Sequence, residues 1–323
     1  HCVAVPMKRH ISPISDLVSL VRLIGVFRRE RPWVVHSMTP KAGLLCMLAA
    51  WLTRVPVRVH TFTGLIWPTA HGLKRRLLMM TDWITCACAT HVIPEGKGVM
   101  HDLQRGGITR KPMRVLGHGN VKGVDIERFD PARLGALKGS GLFTFLFVGR
   151  IVGNKGINEL VEAFARLNKE VPCTRLVLVG NYERILDPVS DETQRLIDTS
   201  DAIEAMGPRR GDDLVRAYAE ADCFVMPSYR EGFPNVVLEA GAMGLPSIVT
   251  DINGSREIVE NNKNGLVVPP KDVSALYEAM RRMATDDEAR QSMAHEARPM
   301  IVSRFESGYV QRCQIEFYKE VIV

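Results

Sequence analysis

At 323 residues, 46% apolar and 24% charged, with 26 Gly and 18 Pro, the chain has the composition of a folded globular protein and is neither a coiled coil, a collagen-like chain nor an extended disordered tail. At about 150 residues per domain, the length predicts two domains, each able to bury a sizeable core. The net charge of +6 is unevenly spread: residues 1–138 hold 21 Lys or Arg against 8 Asp or Glu, and the rest of the chain holds 21 against 28.

His1 and Cys2 lead into VAVP, which reads as the exit of a strand, so a preceding segment is expected. From Asp16 to Arg28 the apolar residues recur at helical spacing, and WVVHS after Pro32 reads as a short strand. KAGLLCMLAAWL predicts a helix buried over most of its surface, VPVRVHTFTG a strand, and GLIWPT a loop. GLKRRLLMMTDWI predicts a helix whose Lys74, Arg75 and Arg76 either lie on anionic lipid headgroups or form a solvated face. The helix-like GVMHDLQRG follows, and the glycine-rich crossover MRVLGHGNVKGVDIERFDP is the expected place for the interdomain boundary. After the loosely specified ALKGSG, strands LFTFLFVGR, TRLVLVG, IEAMG, CFVMPS, LPSIVT and GLVVPP alternate with amphipathic helices. Such alternation is the signature of parallel α/β units. The segment from Phe305 to Val323 reads as a final aromatic-bearing helix packing across both domains.

The predicted division is residues 1–128, residues 129–304 and the helix 305–323. Two doubly wound, Rossmann-like domains would place a cleft between the carboxyl ends of two sheets, where open α/β sheets bind ligands. The longest apolar run, Ala42 to Leu52, is too short to span a bilayer, and no leader with a small-residue cleavage site precedes it. The seven cysteines form no disulfide framework, and Cys86 and Cys88 stand too close for a CxxC metal site. A basic first half suits a lipid surface or a phosphorylated substrate. Nucleic acid is disfavoured, since no zinc-finger spacing or aromatic-basic alternation accompanies the charge.

Two segments carry the chemistry. In VGRIVGNKG, Arg150 and Lys155 sit on the exit loop of an apolar strand among glycines. Two cations there can clamp a diphosphate and favour the charge that develops as it leaves, or they are solvated surface residues. In SYREGFPNVVLEAGAMG, Glu231 should precede a helix whose first amides, near Asn235 and Val236, offer an anion site. Glu239, two turns on and read as sharing that face, can accept both hydroxyl hydrogens of a ribose. Asp212 and Asp213 begin a helix and read as caps rather than metal ligands.

These segments, with HSMTPKAGLL, VHTFTGL, LVLVG and NGLVVPPKD, resemble the retaining GT-B glycosyltransferases of the family 4 type, particularly bacterial enzymes of capsule, O-antigen and exopolysaccharide assembly. The resemblance covers most of the chain. It implies an α/β GT-B fold and transfer of a sugar from a nucleotide diphosphate sugar to a lipid-linked or polysaccharide acceptor. UDP is the carrier favoured by family frequency, and no metal is required. Arg150 and Lys155 would bind the donor diphosphate, Glu231 the transferred sugar's hydroxyls and Glu239 the ribose. Phe233, Pro234, Asn235 and Val236 would present backbone amides, and Met206 and Gly207, with Pro208, would line the nucleobase.

The sequence departs from the family in two places. The phrase FTG, with Thr63, stands where relatives carry a histidine, which leaves His60, His36 and Thr63 as candidates for the acceptor side; His60 is the residue favoured here, with a structural histidine as its alternative. The family's opening strand and glycine-rich loop are also missing, so several tens of residues are expected to precede His1 in a full-length parent. The expected place of action is the cytoplasmic face of a bacterial membrane, with an anionic membrane surface as partner. Two rivals remain: a sugar-nucleotide epimerase of the same fold, and a noncatalytic nucleotide-sugar-binding protein.

Overall fold

The computed structural model describes residues 2–8, 12–134, 141–183 and 185–322. His1 and most of ALKGSG therefore lie outside the described residues. The chain forms two compact units, His1–Val121 with Val310–Val323, and Lys122–Tyr309.

In the first unit, α1 (Pro13–Glu30) starts with proline in its first turn, where a missing N–H costs nothing. It ends at Arg31, whose left-handed backbone donates back to the Phe27 carbonyl at 2.9 Å. Then follow β1 (Val34–Ser37), α2 (Pro40–Leu52), β2 (Val57–Phe62), α3 (Gly72–Cys88), β3 (His91–Pro94) and α4 (Lys97–Arg105). The three strands pair in parallel in the order β1-β2-β3, so each needs the crossover that α2 and α3 supply. Met47, Ala50, Phe62 and Trp67 pack the core together with Cys86 and Cys88, which lie on the last turns of α3. Burial pushes the Cys86 thiol up to about 12, which leaves it an apolar packing residue.

The second unit runs β4 (Phe143–Val148), α5 (Ile157–Glu170), β5 (Thr174–Val179), α6 (Asp191–Thr199), β6 (Ile203–Gly207), α7 (Gly211–Ala219), β7 (Cys223–Met226), α8 (Asn235–Ala242), β8 (Ser247–Thr250), α9 (Ser255–Ile258), β9 (Gly265–Val268), α10 (Val273–Thr285) and α11 (Asp287–Phe305). Its six parallel strands lie in the order β6-β5-β4-β7-β8-β9. The direction of winding reverses between β4 and β7, and an open α/β sheet takes its ligand at the carboxyl ends of such a pair. CFVM is apolar along its whole length and FTFLFV at every position but Thr144, because both faces are covered by helices.

The units divide at 121/122, ahead of the expected 128/129. Val124 and Phe129 are buried in the core of the second unit. The Val124 amide donates to the Phe305 carbonyl at 2.8 Å, and the Ser307 amide to the Val124 carbonyl at 3.0 Å, so the crossover is stitched to the end of α11. The last helix, α12 (Ser307–Ile322), begins at the end of the second unit and from Val310 onward belongs to the first. Phe305 before it is buried in the second unit, whereas Phe317 packs with Val57, Val59 and Ile93 of the first.

Asp212 and Asp213 lie inside the first turn of α7, whose N-cap is Arg210. They complement the helix dipole and make no cap.

Candidate functional site

The loops that leave β4 and β7 meet at the reversal point. After β4 the chain passes through Arg150 to a single 3-10 turn, Gly153–Lys155, and enters α5 at Gly156. Gly156 has φ +72°, and a Cβ there would stand 2.1 Å from the Pro227 carbonyl oxygen just beyond β7. Only glycine lets the two loops come this close. Across that contact, Lys155 Nζ donates to Glu231 Oε1 in an ion pair whose side chains are 20% and 15% exposed. Arg150 is exposed and has no recorded partner among the described residues.

Most of this loop's backbone is already occupied. The Gly153 amide donates to the Asp187 carbonyl at 3.2 Å and the Asn154 amide to Asp187 Oδ2 at 2.9 Å. The amides of Lys155 and Gly156 close the turn on Val152 and Gly153. Donors for an anion are therefore the Lys155 and Arg150 side chains, together with the first amides of α5, which helix geometry leaves unpaired.

Glu231 precedes α8 and Glu239 lies inside it. Phe233 is buried against Phe305, ring centroids 5.3 Å apart, and Pro234 caps α8, which begins with Asn235 and Val236. Glu239 Oε2 accepts a 2.9 Å hydrogen bond from the Tyr218 hydroxyl. Burial raises the Glu239 carboxyl above its ordinary range, opposed by that hydrogen bond and by the positive charges of Lys122 and Arg128. Met206 and Gly207 close β6, both half-buried, and the Gly207 carbonyl accepts from the Gly180 amide at 3.0 Å.

In the first unit, His60 is 1% exposed. Its Nδ1 shares a 2.7 Å hydrogen bond with Ser37 Oγ, its ring meets Phe62 edge-on at 4.5 Å, and a Cβ at Gly43 would stand 2.3 Å from it. Burial, then the neighbouring His36, push it down to about 4, so it is a neutral, sealed imidazole at pH 7. His36 is likewise held, between Thr61 Oγ1 at 2.7 Å and the Tyr318 hydroxyl. Thr63, half-buried just past β2, donates to the Met38 carbonyl at 3.0 Å.

The sequence matches two family profiles, "Glycosyl transferase 4-like domain" over residues 1–119 and "Glycosyl transferases group 1" over residues 143–286. It is 32% identical over 318 residues to the capsular polysaccharide biosynthesis glycosyltransferase CapM of Staphylococcus aureus, across 95% of this chain and 81% of that protein. The chain belongs to the group 1, family-4-like glycosyltransferases.

This transferase is also 30% identical to an Escherichia coli UDP-Gal:alpha-D-GlcNAc-diphosphoundecaprenol alpha-1,3-galactosyltransferase, over 92% of the chain and 78% of the relative. Among solved structures, HepE of Anabaena in complex with UDP superposes with a TM-score of 0.78 at 18% identity, covering 96% of this chain and 84% of that one. Sucrose-phosphate synthase of Thermosynechococcus elongatus gives 0.79 at 22% identity, covering 97% and 80%. These likenesses establish the GT-B fold. The transferase moves a sugar from a nucleotide-sugar donor to an acceptor.

Among the described residues no group of three or more His, Cys, Asp or Glu is placed to hold a metal, and no helix is long and apolar enough to cross a membrane. Sequence reasoning missed three residues that support the transferase's site. Asp187, from the loop after β5, occupies the amides of the β4 loop. The Tyr229 hydroxyl donates to Glu159 Oε1 at 2.5 Å, tying the β7 exit to the first turn of α5. Tyr218 holds Glu239. Each is an ordinary polar residue in a helix or loop, and only its contact partner, far off in sequence, marks it.

Proposed function

We propose that this transferase is a retaining enzyme that moves a hexose or related sugar from UDP to a lipid-linked or polysaccharide acceptor in bacterial surface-glycan synthesis, working without a metal on the inner face of the membrane. The observation that carries the reading is the Lys155–Glu231 ion pair at the β4/β7 reversal point. It sets a cation for the departing diphosphate beside a carboxylate for the sugar's hydroxyls. A fixed cation gains most where charge develops, so Lys155, helped by Arg150, favours the transition state over the bound donor. Glu231 holds the sugar, Glu239 the ribose, the start of α8 from Phe233 to Val236 the donor's oxygens, and Met206 with Gly207 the base.

Thr63 orients the acceptor hydroxyl, and the leaving phosphate takes its proton, so no strong protein base is required. His60, neutral at pH 7 and bonded to Ser37 Oγ, supports the core of the same unit. For the membrane partner, Lys74, Arg75 and Arg76 are all exposed in the first turns of α3. Leu73, Leu77, Met80 and Trp83 on the same helix are 82%, 43%, 51% and 55% exposed. Apolar side chains flanked by cations are the composition that an anionic lipid surface binds.

Calorimetric titration with UDP, GDP and ADP, with and without magnesium, tests the donor assignment. Selective binding of UDP that survives chelation is the expected result; binding of another nucleotide in its place, or dependence on magnesium, overturns it. The anomeric configuration of the product, read by NMR, tests retention.

A further inference from the structure

Glu239 has one carboxylate oxygen occupied before any ligand arrives. Its Oε2 accepts from Tyr218, and no partner of Oε1 is recorded among the described residues. The tyrosine has no freedom to do otherwise: it is 0% exposed, with Phe129 edge-on at 5.8 Å and Phe224 at 6.0 Å. A carboxylate on a flexible two-carbon stem has several rotamers, and one hydrogen bond from an immovable phenol selects among them. We propose that Tyr218 is a positioning residue for the donor, fixing the rotamer of Glu239 so that its remaining lone pairs meet the vicinal hydroxyls of the nucleotide's ribose. This rests on the donor-site reading above.

A buried tyrosine needs an acceptor whatever its role, and the Val236 carbonyl, at 3.3 Å, is within reach. The hydroxyl has one proton, and its shorter contact is to the carboxylate. That contact also has an electrostatic consequence. Burial favours the protonated acid, and a hydrogen bond to the charged form favours the carboxylate, which is the form that accepts from two hydroxyls. Lys122 and Arg128 on the crossover act in the same direction. On the other helices packed against α8, Arg298 of α11 is spent on the carbonyls of Ile126, Phe129 and Ala242 and on the Asp130 carboxylate at 3.3 Å, and Glu257 of α9 accepts from the Gly254 amide.

The test is UDP affinity of the full chain as a function of pH for wild type, Tyr218→Phe, Glu239→Ala and the double variant. Tyr218→Phe should weaken UDP binding roughly tenfold, the equivalent of one hydrogen bond to a charged group. It should also move the acid limb of the affinity profile to higher pH, because Glu239 then protonates more readily. On the Glu239→Ala background the same change should have no further effect. A phenol that serves only packing would move neither the acid limb nor the cycle. 3-Fluorotyrosine at position 218 keeps the shape, strengthens the donor and should shift the limb the opposite way, which gives a second readout should the Phe variant fold poorly. If Glu239→Ala weakens UDP binding and neither Tyr218 variant alters it, the positioning role is refuted and the donor site stands. If Glu239→Ala leaves UDP affinity unchanged, the ribose assignment falls, and this inference with it.

Discussion

Gly156 and Gly244 have nearly the same backbone, φ +72° and +75°, in different surroundings: a Cβ at Gly244 meets nothing within 4 Å, while one at Gly156 stands 2.1 Å from the Pro227 oxygen and 2.8 Å from its carbonyl carbon. Alanine at either position costs about 1–2 kcal/mol for left-handed backbone. At Gly244, which ends α8 with the Leu245 amide donating to the Ala240 carbonyl at 3.0 Å, that is the whole cost. At Gly156 the β7 exit must also move by an ångström or so, and forced repacking of this kind adds about 1–3 kcal/mol. For a unit of this length each kcal/mol lowers the melting temperature by roughly 2–4 °C. Gly156→Ala should therefore melt roughly 2–12 °C below Gly244→Ala in parallel scans followed by circular dichroism. The displaced segment joins the two loops that carry Lys155 and Glu231. UDP titration below both melting temperatures should accordingly show a loss for Gly156→Ala alone. Equal melting temperatures with equal UDP affinities would refute the claim that this contact sets the site.

Lys155→Met should lower turnover at least about 100-fold, the usual cost of removing one donor to a developing charge, while the melting temperature moves by a few degrees; a variant that keeps its rate removes Lys155 from the leaving-group role. Arg298→Met strips the donor from the carbonyls of Phe129 at 2.7 Å, Ile126 at 3.1 Å and Ala242 and from the Asp130 carboxylate at 3.3 Å, and denaturant titration should show a loss of about 3 kcal/mol. His60, ordinarily near 6.5, is held down at about 4 in the native state. The unfolded chain therefore takes up the proton first as pH falls: the contribution is fully present above 6.5 and is lost on the way to 4. At about 1.4 kcal/mol per unit this amounts to roughly 3 kcal/mol, which a His60→Gln variant should no longer lose. An imidazole found by NMR to titrate near 6.5 in the folded protein would contradict it.

Much of the second unit was legible because predominantly apolar strands and strongly amphipathic helices alternate there, as in β4 with α5. The neighbourhood of Arg150, Lys155 and Glu231 followed from loops at strand exits. What the sequence concealed depends on pairs distant along the chain. Nothing local distinguishes a sealed His60 from one open to solvent; Gly43, whose missing side chain makes room for the ring, lies on another element. The boundary was misplaced for a similar reason, since Val124 looks like linker until Phe305 is seen to pair with it. The placing of Glu231 ahead of a helix that holds Glu239 was legible from Gly232 and Pro234, and α8 does start at Asn235; the phenol that holds Glu239 was not, because Tyr218 lies on another helix.

The return of α12 to the first unit affects how the chain assembles. During synthesis the whole of Lys122–Tyr309 leaves the ribosome before Phe317 can reach Val57, Val59 and Ile93. Until then these core positions of a parallel sheet lack their cover. The second unit has all its sequence in one stretch and can fold vectorially, whereas the first must wait through a long loop closure. Nascent chains should pass through a stage in which the second unit resists protease and the first does not. A chaperone that holds apolar strands would then find its target on β2 and β3.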